Sequence, residues 1–287
     1  MEKKIIEGKS FPNERDLYRA DSLVLRNCRF AGKEDGESAL KESSNVELYS
    51  CLLDLRYPLW HVHNAIIDGC EMTPNCRAAL WYGDFIKISN TRMDGIKAIR
   101  ECHHVELDNV TSSSPELGWK SHDIAIKDCS IDSQYAFLEA TDLQAEGLRF
   151  EGKYSFQYTE RLRFRNCHFK TKDAFWHSKD CVVEDSVVEG EYLGWYSEGL
   201  TFIRCHIKGT QPLCYCKNLR LIDCTMEDAD LAFEYSEVEA DVDSHIVSIK
   251  NPYKGKISCK SLGELIETED SVYPCLCQVE VRGGQPL

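Results

Sequence analysis

Leu23-Val-Leu-Arg-Asn-Cys-Arg-Phe30 is the first of eleven similar eight-residue phrases that follow one another along the chain. Most phrases begin 19 residues after the one before, with single steps of 23 and 21 residues near the start. The eleven phrases begin at Leu23, Val46, Ala65, Ile86, Val105, Ile124, Leu143, Leu162, Cys181, Leu200 and Leu219, and a weaker twelfth begins at Val238. A fixed period with one apolar phrase in each repeat is typical of a solenoid, whose units stack to bury a shared core.

Each phrase has the alternation of a half-buried β-strand. Its first and third residues are apolar, as in Leu23 and Leu25, and its sixth and eighth are apolar again, as in Cys28 and Phe30. The inward phase therefore slips by one residue at the fifth position. That position holds Asn, Asp or Gly in most copies, as in Asn27. Because these residues tolerate turn dihedrals, we predict a bend there in every coil.

A second apolar line precedes the phrases by six residues, as at Leu40, Leu59 and Phe175, and indicates a second inward-facing side of the coil. Without any helical period, the pattern predicts an all-β fold: a single-stranded parallel β-helix of about 12 coils, with strands about 4.8 Å apart. Open coil ends would expose unpaired strand edges. We therefore predict an N-terminal cap over residues 1–20, the β-helix over 21–250 and a C-terminal cap over 251–287.

The composition limits the classes of partner. The net charge is −14 and the isoelectric point is about 5.1, which disfavours nucleic acid and anionic membranes because both would repel the protein. The first residues lack the apolar core of a signal peptide, and no apolar run reaches the roughly 20 residues of a membrane span. We therefore expect a cytoplasmic protein with neither a nucleic-acid nor a membrane partner.

The fifteen cysteines are expected to be core residues in a reducing compartment. Seven of them share the sixth position of the phrase, where other copies hold Thr91, Val110, Leu148 and Ser186. Because this position accepts all these residue types, we interpret it as a place for a small buried side chain and not for half of a covalent pair. Neither Cys102-His103-His104 nor Cys214-Tyr-Cys216 is accompanied by a second pair of ligands at the spacing of a zinc site. The same is true of His61 and His63. We therefore predict no metal site and no cofactor, and regard a redox role for the cysteines as a third, less favoured hypothesis.

All five tryptophans lie five residues before a phrase, and the next position is rich in charged and amphipathic residues. We predict that these two positions form a surface strip that binds a ligand. Its candidate ligand-binding residues are Lys41, Trp60, His61, Trp81, Arg100, Trp119, Gln157, Tyr158, Trp176, Trp195 and Tyr215. Aromatic faces meet the apolar faces of sugars, and large exposed apolar patches usually mark binding sites. The alternative is a semi-buried aromatic stack that only stiffens the fold.

Two adjacent repeats enrich the middle of this strip with titratable groups. The candidate catalytic residues are Lys172, Asp173, His177, Glu191 and Tyr196. A histidine, a carboxylate and a tyrosine in one groove are adequate for general acid–base chemistry. The alternative is a structural ion pair between Lys172 and Glu191, which the spacing places on neighbouring coils.

The repeats from about Leu23 to Val238 resemble the pectin-lyase-like superfamily of right-handed parallel β-helices. Thr171-Lys-Asp-Ala-Phe-Trp-His177, Gly190-Glu-Tyr-Leu-Gly-Trp-Tyr196 and Gly209-Thr-Gln-Pro-Leu-Cys-Tyr215 resemble phrases of a bacterial family of unknown function. The resemblance implies the fold and its handedness. It does not fix a reaction, because lyases, hydrolases, esterases, isomerases and binding proteins share the fold.

The leading hypothesis is an intracellular β-helix protein that binds, or binds and processes, a carbohydrate or related polar ligand along the strip. If it is an enzyme, we expect a carbohydrate-active lyase, hydrolase or isomerase. The alternative is a non-catalytic scaffold whose strip docks another protein or a second copy of the chain as a homo-oligomer, since Trp, Tyr and Arg are enriched at interface hot spots.

Overall fold

The computed structural model describes residues 3–32 and 37–282. Its contacts divide the chain into two compact units, Met1–Gln144 and Ala145–Leu287. The predicted all-β fold is confirmed: the chain is a parallel β-solenoid of about 14 turns with a period of ~19 residues. The extents of the caps and the right-handed sense stay predictions. The predicted caps include residues 1–2 and 283–287, which lie outside the described residues.

The first unit has two kinds of strand in most coils and a third kind in three successive coils. The longer strands that begin the phrases are Asp21–Arg26, Ser44–Tyr49, His63–Asp68, Asp84–Ser89, His103–Asp108 and His122–Lys127, and Lys4–Glu7 precedes the first of them. Short strands complete the phrases at Arg29–Phe30, Leu52–Leu53, Glu71–Met72, Arg92–Asp94, Thr111–Ser113 and Ser130–Gln134. A three-stranded sheet comprises Leu59–Trp60, Leu80–Trp81 and Ile99–Arg100. Coils stack in parallel register, so that Ile86 lies opposite Val105 and Val105 opposite Ile124.

The second unit continues the two strands of the phrase. Its strands are Arg149–Lys153, Arg163–Arg165, His168–Lys170, Val182–Glu184, Val187–Glu189, Thr201–Ile203, His206–Lys208, Leu219–Glu227, Glu237–Lys250, Lys254–Ile266 and Gln278–Val281. The strand Thr141–Glu146 includes the boundary between the units. Phe164 lies opposite Val183, and Val183 opposite Phe202. In the described residues, helix is limited to the three-residue 3-10 turn Pro74–Cys76. The same residues contain no helix long and apolar enough to span a membrane.

The predicted bend is present at the fifth residue of the phrase. Asn27, Asn90 and Asn109 have φ angles of 50°, 48° and 53°, in the left-handed region. Aspartate and glycine take the same conformation in other coils, for example at Asp185. Asn, Asp and Gly tolerate this region better than bulkier residues. The bend lets residues on both sides of it point into the core.

The core consists of the residue positions that the repeat identifies. Leu40, Leu59 and Phe175 of the second apolar line are fully buried. Cys28, Cys51 and Cys167 are also buried, as the phrase position predicts, and all fifteen cysteines are free thiols. These thiols pack as small apolar side chains between coils. The inward faces therefore form one continuous apolar column within each unit.

The number of turns exceeds the predicted 12 because both ends of the chain add strands that lack the phrase. Lys4–Glu7 pairs in parallel with Asp21–Arg26. Beyond Val238 the register continues, with Val238 opposite Gly255 and Lys256 opposite Gln278. At this C-terminal end the steps are 17 and 22 residues instead of 19, so the sequence period fades although the stacking does not.

Candidate functional site

In the first unit, the tryptophan position of successive coils forms a stacked column. We call Lys41, Trp60, Trp81, Arg100 and Trp119 the first-unit column. The Lys41 Nζ lies 4.7 Å from the centre of the Trp60 ring, and the rings of Trp60 and Trp81 stack with centroids 5.0 Å apart. The Arg100 guanidinium lies 5.2 Å from Trp81 and 5.3 Å from Trp119. Both faces of Trp60 and of Trp81 are therefore covered by neighbours in the column.

Four indole and amide N–H groups of this position also donate hydrogen bonds within the protein. The Trp119 Nε1–H donates to the carbonyl of Tyr135. In the second unit, Trp176 donates to the carbonyl of Tyr192 at 2.6 Å and Trp195 to that of Gln211 at 2.8 Å; Gln157 donates in the same way to the carbonyl of Asp173 at 2.8 Å. These side chains are half-buried. The position thus combines the two alternatives: it stacks along the coils, as a stiffening element would, and it keeps its outer edges at the surface.

The second unit carries a more exposed aromatic row on the next residue position. Tyr158, His177, Tyr196 and Tyr215, which we call the tyrosine–histidine ladder, stack with centroids 4.7, 5.1 and 4.7 Å apart and interplanar angles of 12° or less. All four have φ angles of 55–61°, so a left-handed bend presents each side chain in the same direction. Tyr158 is 55% and Tyr196 47% exposed. The structure therefore assembles four predicted site residues into one row.

Of the predicted catalytic residues, His177 and Tyr196 belong to this ladder, and Lys172, Asp173 and Glu191 precede it in their coils and have different environments. Lys172 Nζ donates to Glu191 Oε2 at 2.7 Å and lies 5.1 Å from the centre of the Tyr192 ring. The hydrogen bond from Lys172 to Glu191 raises the pKa of Lys172. This is the predicted structural ion pair. Asp173 is only 6% exposed, and its burial raises the pKa of its carboxyl group, against the opposing effect of the Lys172 charge.

Replacing Asp173 with asparagine is expected to raise the melting temperature at pH 7 by about 2–4 °C. The pKa of Asp173 is higher in the folded state than in the unfolded state. The free energy of unfolding therefore falls as the pH rises from about 3.9, the ordinary pKa of aspartate, through the folded-state pKa. Asparagine does not ionise, so the variant avoids this loss of stability at pH 7. At pH 3, below the ordinary pKa of aspartate, the substitution should leave the melting temperature unchanged. Asp223→Asn, at an exposed bend where other coils hold asparagine, is the control. An equal gain at both pH values would contradict the prediction.

The remaining predicted ligand residue, His61, lies at the surface of the first unit, where its Nδ1 is 3.0 Å from Glu42 Oε2. Of the fifteen cysteines of the third hypothesis, thirteen are buried, and Cys275 and Cys277 are partly exposed. Burial raises the pKa of Cys102 and of Cys167 to about 11. A thiol with a raised pKa is a poor nucleophile and a poor metal ligand. Within residues 3–32 and 37–282, no three His, Cys, Asp or Glu side chains come together in a way that could hold a metal ion.

The sequence did not predict a surface depression in the first unit. This depression of about 500 Å³, which we call the histidine depression, is lined by residues that include His63, Asn64, Phe85, Lys87, His104 and Glu106. Its residues come from four successive coils, and most of them occupy the two positions before a phrase. The available signal was the presence of His63, Asp84, His103 and His122 at one repeat position, of which only His63 and His103 were considered above, as metal ligands.

Comparison with solved structures gives low similarity over most of the chain. The tailspike protein of E. coli bacteriophage HK620, in complex with a pentasaccharide, has a TM-score of 0.38 and 7% identity over 96% of this chain. This chain spans 57% of that tailspike's length. The A-module of the Azotobacter vinelandii mannuronan C-5 epimerase AlgE4 has a TM-score of 0.34 and 9% identity over 96% of this chain and 88% of its own. Similarity at this level gives no information about function.

Sequence comparison assigns the family. No curated protein sequence matches the chain. The model of one family, described as "Protein of unknown function (DUF3737)", matches residues 4–280. Because this match includes nearly the whole sequence, the chain belongs to that family.

Proposed function

We propose that this protein binds a carbohydrate or related polar ligand along the tyrosine–histidine ladder of the second unit. The observation that carries the proposal is the row of Tyr158, His177, Tyr196 and Tyr215, stacked in register at the surface. A row that repeats once per coil, close to the strand spacing, suits a linear ligand whose own units repeat along its length.

The chemistry of the row favours hydroxyl-rich ligands. Phenol hydroxyls and imidazole nitrogens both donate and accept hydrogen bonds, and their rings add apolar edges. Tyr215 already donates to Glu234 Oε2 at 3.3 Å, and Lys172 and Glu191 neutralise each other beside the row. The ligand would contact ring edges and hydroxyl groups. Sugar stacking on the indole faces, which the sequence suggested, does not fit Trp60 and Trp81 because their faces are already stacked.

Binding is better supported than processing. A carboxyl group with a raised pKa is what a general acid requires, and burial gives Asp173 this property. At 6% exposure, however, Asp173 presents little surface to a ligand, whereas Tyr196 is 47% exposed. Any reaction would therefore need Asp173 to become accessible once the ligand is bound.

Isothermal calorimetry with a panel of neutral and acidic oligosaccharides tests the proposal. We expect one class to bind, and Tyr196→Ala to weaken its affinity by about tenfold, which corresponds to about 1.4 kcal/mol. The ring centroid of Trp195 lies 5.2 Å from that of Tyr215 and 6.4 Å from that of Tyr196. The fluorescence emission of Trp195 should therefore change when the same ligand binds.

Tyr82→Ala is the matched control, because Tyr82 is the exposed tyrosine at the same repeat position in the first unit. It should leave the affinity unchanged. The proposal fails if no oligosaccharide binds, or if the two tyrosine variants weaken binding equally.

A second candidate is docking of a protein or of a second copy of the chain. It is favoured by the internal stacking of the aromatic faces, which leaves tyrosine edges and hydroxyl groups at the surface, as at many interfaces. Light scattering over a range of protein concentrations tests the case of self-association, in which the second candidate predicts a dimer and the first does not. A mass that doubles with concentration, and that Tyr196→Ala returns to that of one chain, would favour the second.

A further inference from the structure

His63 and His104, which line the histidine depression in the first unit, belong to a chain of imidazole and carboxylate groups. Asp84 Oδ1 lies 2.8 Å from His104 Nδ1, and Asp84 Oδ2 lies 3.6 Å from His63 Nδ1. An ionised carboxylate only accepts hydrogen bonds, so in the 2.8 Å contact the hydrogen is on Nδ1 of His104. This bond selects one tautomer and orients the ring. Asp84 therefore acts as a positioning residue for His104.

The other nitrogen of His104 faces a second carboxylate. In the tautomer that Asp84 selects, the neutral ring has an acceptor at Nε2, and Asp123 Oδ2 lies 3.7 Å from it. That distance is too long for a direct hydrogen bond, and a polar contact of this length can be bridged by a third group that donates to both atoms. The two atoms thus define a point at which a hydroxyl or ammonium group would be bound.

An apolar surface adjoins this point. The Phe85 ring stacks on His104 with centroids 4.4 Å apart and an interplanar angle of 4°, and it meets the His63 ring edge to face at 5.5 Å. Phe85 is nevertheless 49% exposed. The depression therefore combines an accessible aromatic ring with hydrogen-bonding groups, which is the composition of a small-molecule site.

The backbone at Phe85 gives the same indication. Its φ angle is 55°, in the left-handed region, where a bulky residue is strained. The same repeat position in the other coils of the first unit holds Ser22, Asn45, Asn64, His104, Asp123 and Asp142, all with positive φ angles. Serine, asparagine and aspartate suit this conformation better than phenylalanine does, so neither local stability nor burial accounts for Phe85.

Charge restricts the ligand. Lys87 Nζ pairs with Glu106 Oε2 at 2.9 Å, so these charges cancel, while Asp84 and Asp123 add two negative charges. The whole chain also has a net charge of −14. We infer that the histidine depression binds a hydroxyl-rich ring compound that is uncharged or positively charged, with one donor group between His104 Nε2 and Asp123 and the ring against Phe85. This site is separate from the tyrosine–histidine ladder and stands without it.

Nuclear magnetic resonance of the imidazole groups tests the inference on the full chain. Glucose, glucosamine and glucuronate are the probes, since they share a ring and differ in charge. We expect glucosamine and then glucose to shift the His63 and His104 signals saturably, and glucuronate to bind more weakly than either. Spectra of His63→Gln and His104→Gln assign these signals among the nine histidines.

Three variants make the test specific. Phe85→Ser, which introduces the residue found at Ser22, should weaken binding by about tenfold. Ile96→Ser, at another exposed apolar residue of the first unit, should not change it. Asp84→Asn should also alter the nitrogen shifts of His104 in the free protein, because the carboxylate that selects the tautomer is gone.

Two outcomes overturn the inference: none of the three probes shifts the two histidines, or glucuronate binds best. The ladder of the second unit is tested by the loss of affinity in Tyr196→Ala. The histidine signals and Phe85→Ser report on the first unit, so a failure of either proposal is distinguishable from a failure of the other.

Discussion

Replacing Phe169 with alanine is expected to lower the free energy of unfolding by about 3–5 kcal/mol. Phe169 is fully buried, and its ring lies 5.1–6.3 Å from the rings of Phe150, Phe156, Phe164 and Phe175. The substitution would remove the centre of this five-ring cluster, and surrounding side chains held in stacked coils can fill little of the space. Chemical denaturation followed by circular dichroism measures the shift.

Phe85→Ala is the control for Phe169→Ala. It removes the same ring from a half-exposed site, where we expect a change of about 0.5 kcal/mol. Because repeat proteins can depart from two-state unfolding, the comparison should use the shift in midpoint at unchanged denaturant dependence. Equal shifts for the two variants would mean that the cluster does not form the second unit's core.

The sequence is sufficient to predict the coil because each residue position has one role throughout the array. Asn27 and Asn90 occupy the bend because the backbone there is left-handed, and Leu40 and Leu59 point inward because the next coil covers them. These roles depend on backbone geometry, which repeats with the period. Hydrophobic spacing and turn chemistry report on that geometry directly.

The side-chain arrangement of the tryptophan position was harder to predict. Lys41 and Arg100 suggested an open position, since a buried charge without compensation is costly. The structure provides that compensation through the indole rings: Arg100 lies between Trp81 and Trp119, and such cation–π contacts are favourable, more so when desolvated. A charged residue in an aromatic column is therefore compatible with stacking, and burial could not be read from residue type alone.

The histidine depression escaped prediction for a different reason. Comparing one repeat position at a time finds contacts between equivalent residues of successive coils. Asp84 instead contacts His104, which lies one position further along the repeat in the next coil. Diagonal contacts of this kind depend on rotamers and on the local bend, and neither has a sequence period.

Replacing Gly209 with alanine is expected to lower the free energy of unfolding by roughly 2–5 kcal/mol, through steric overlap and backbone strain together. The φ angle of Gly209 is 132°, and a Cβ atom added there would lie 2.0 Å from the carbonyl oxygen of Gly190 in the preceding coil. The clash is with backbone, so no side chain can move to relieve it. The two coils would have to separate beside Lys172 and Glu191.

A left-handed glycine without such a neighbour shows that contact, and not φ alone, is responsible. Gly69 has a φ angle of 61°, and a Cβ there would meet only Ser50 Oγ, at 3.7 Å. Other coils hold asparagine at this bend, as at Asn27, so Gly69→Asn should change stability by less than about 1 kcal/mol. If thermal and chemical unfolding rank the two variants equally, the close approach of Gly209 to Gly190 is not what requires glycine. If Gly209→Ala alone is severe, the spacing of the coils that carry the tyrosine–histidine ladder depends on this glycine.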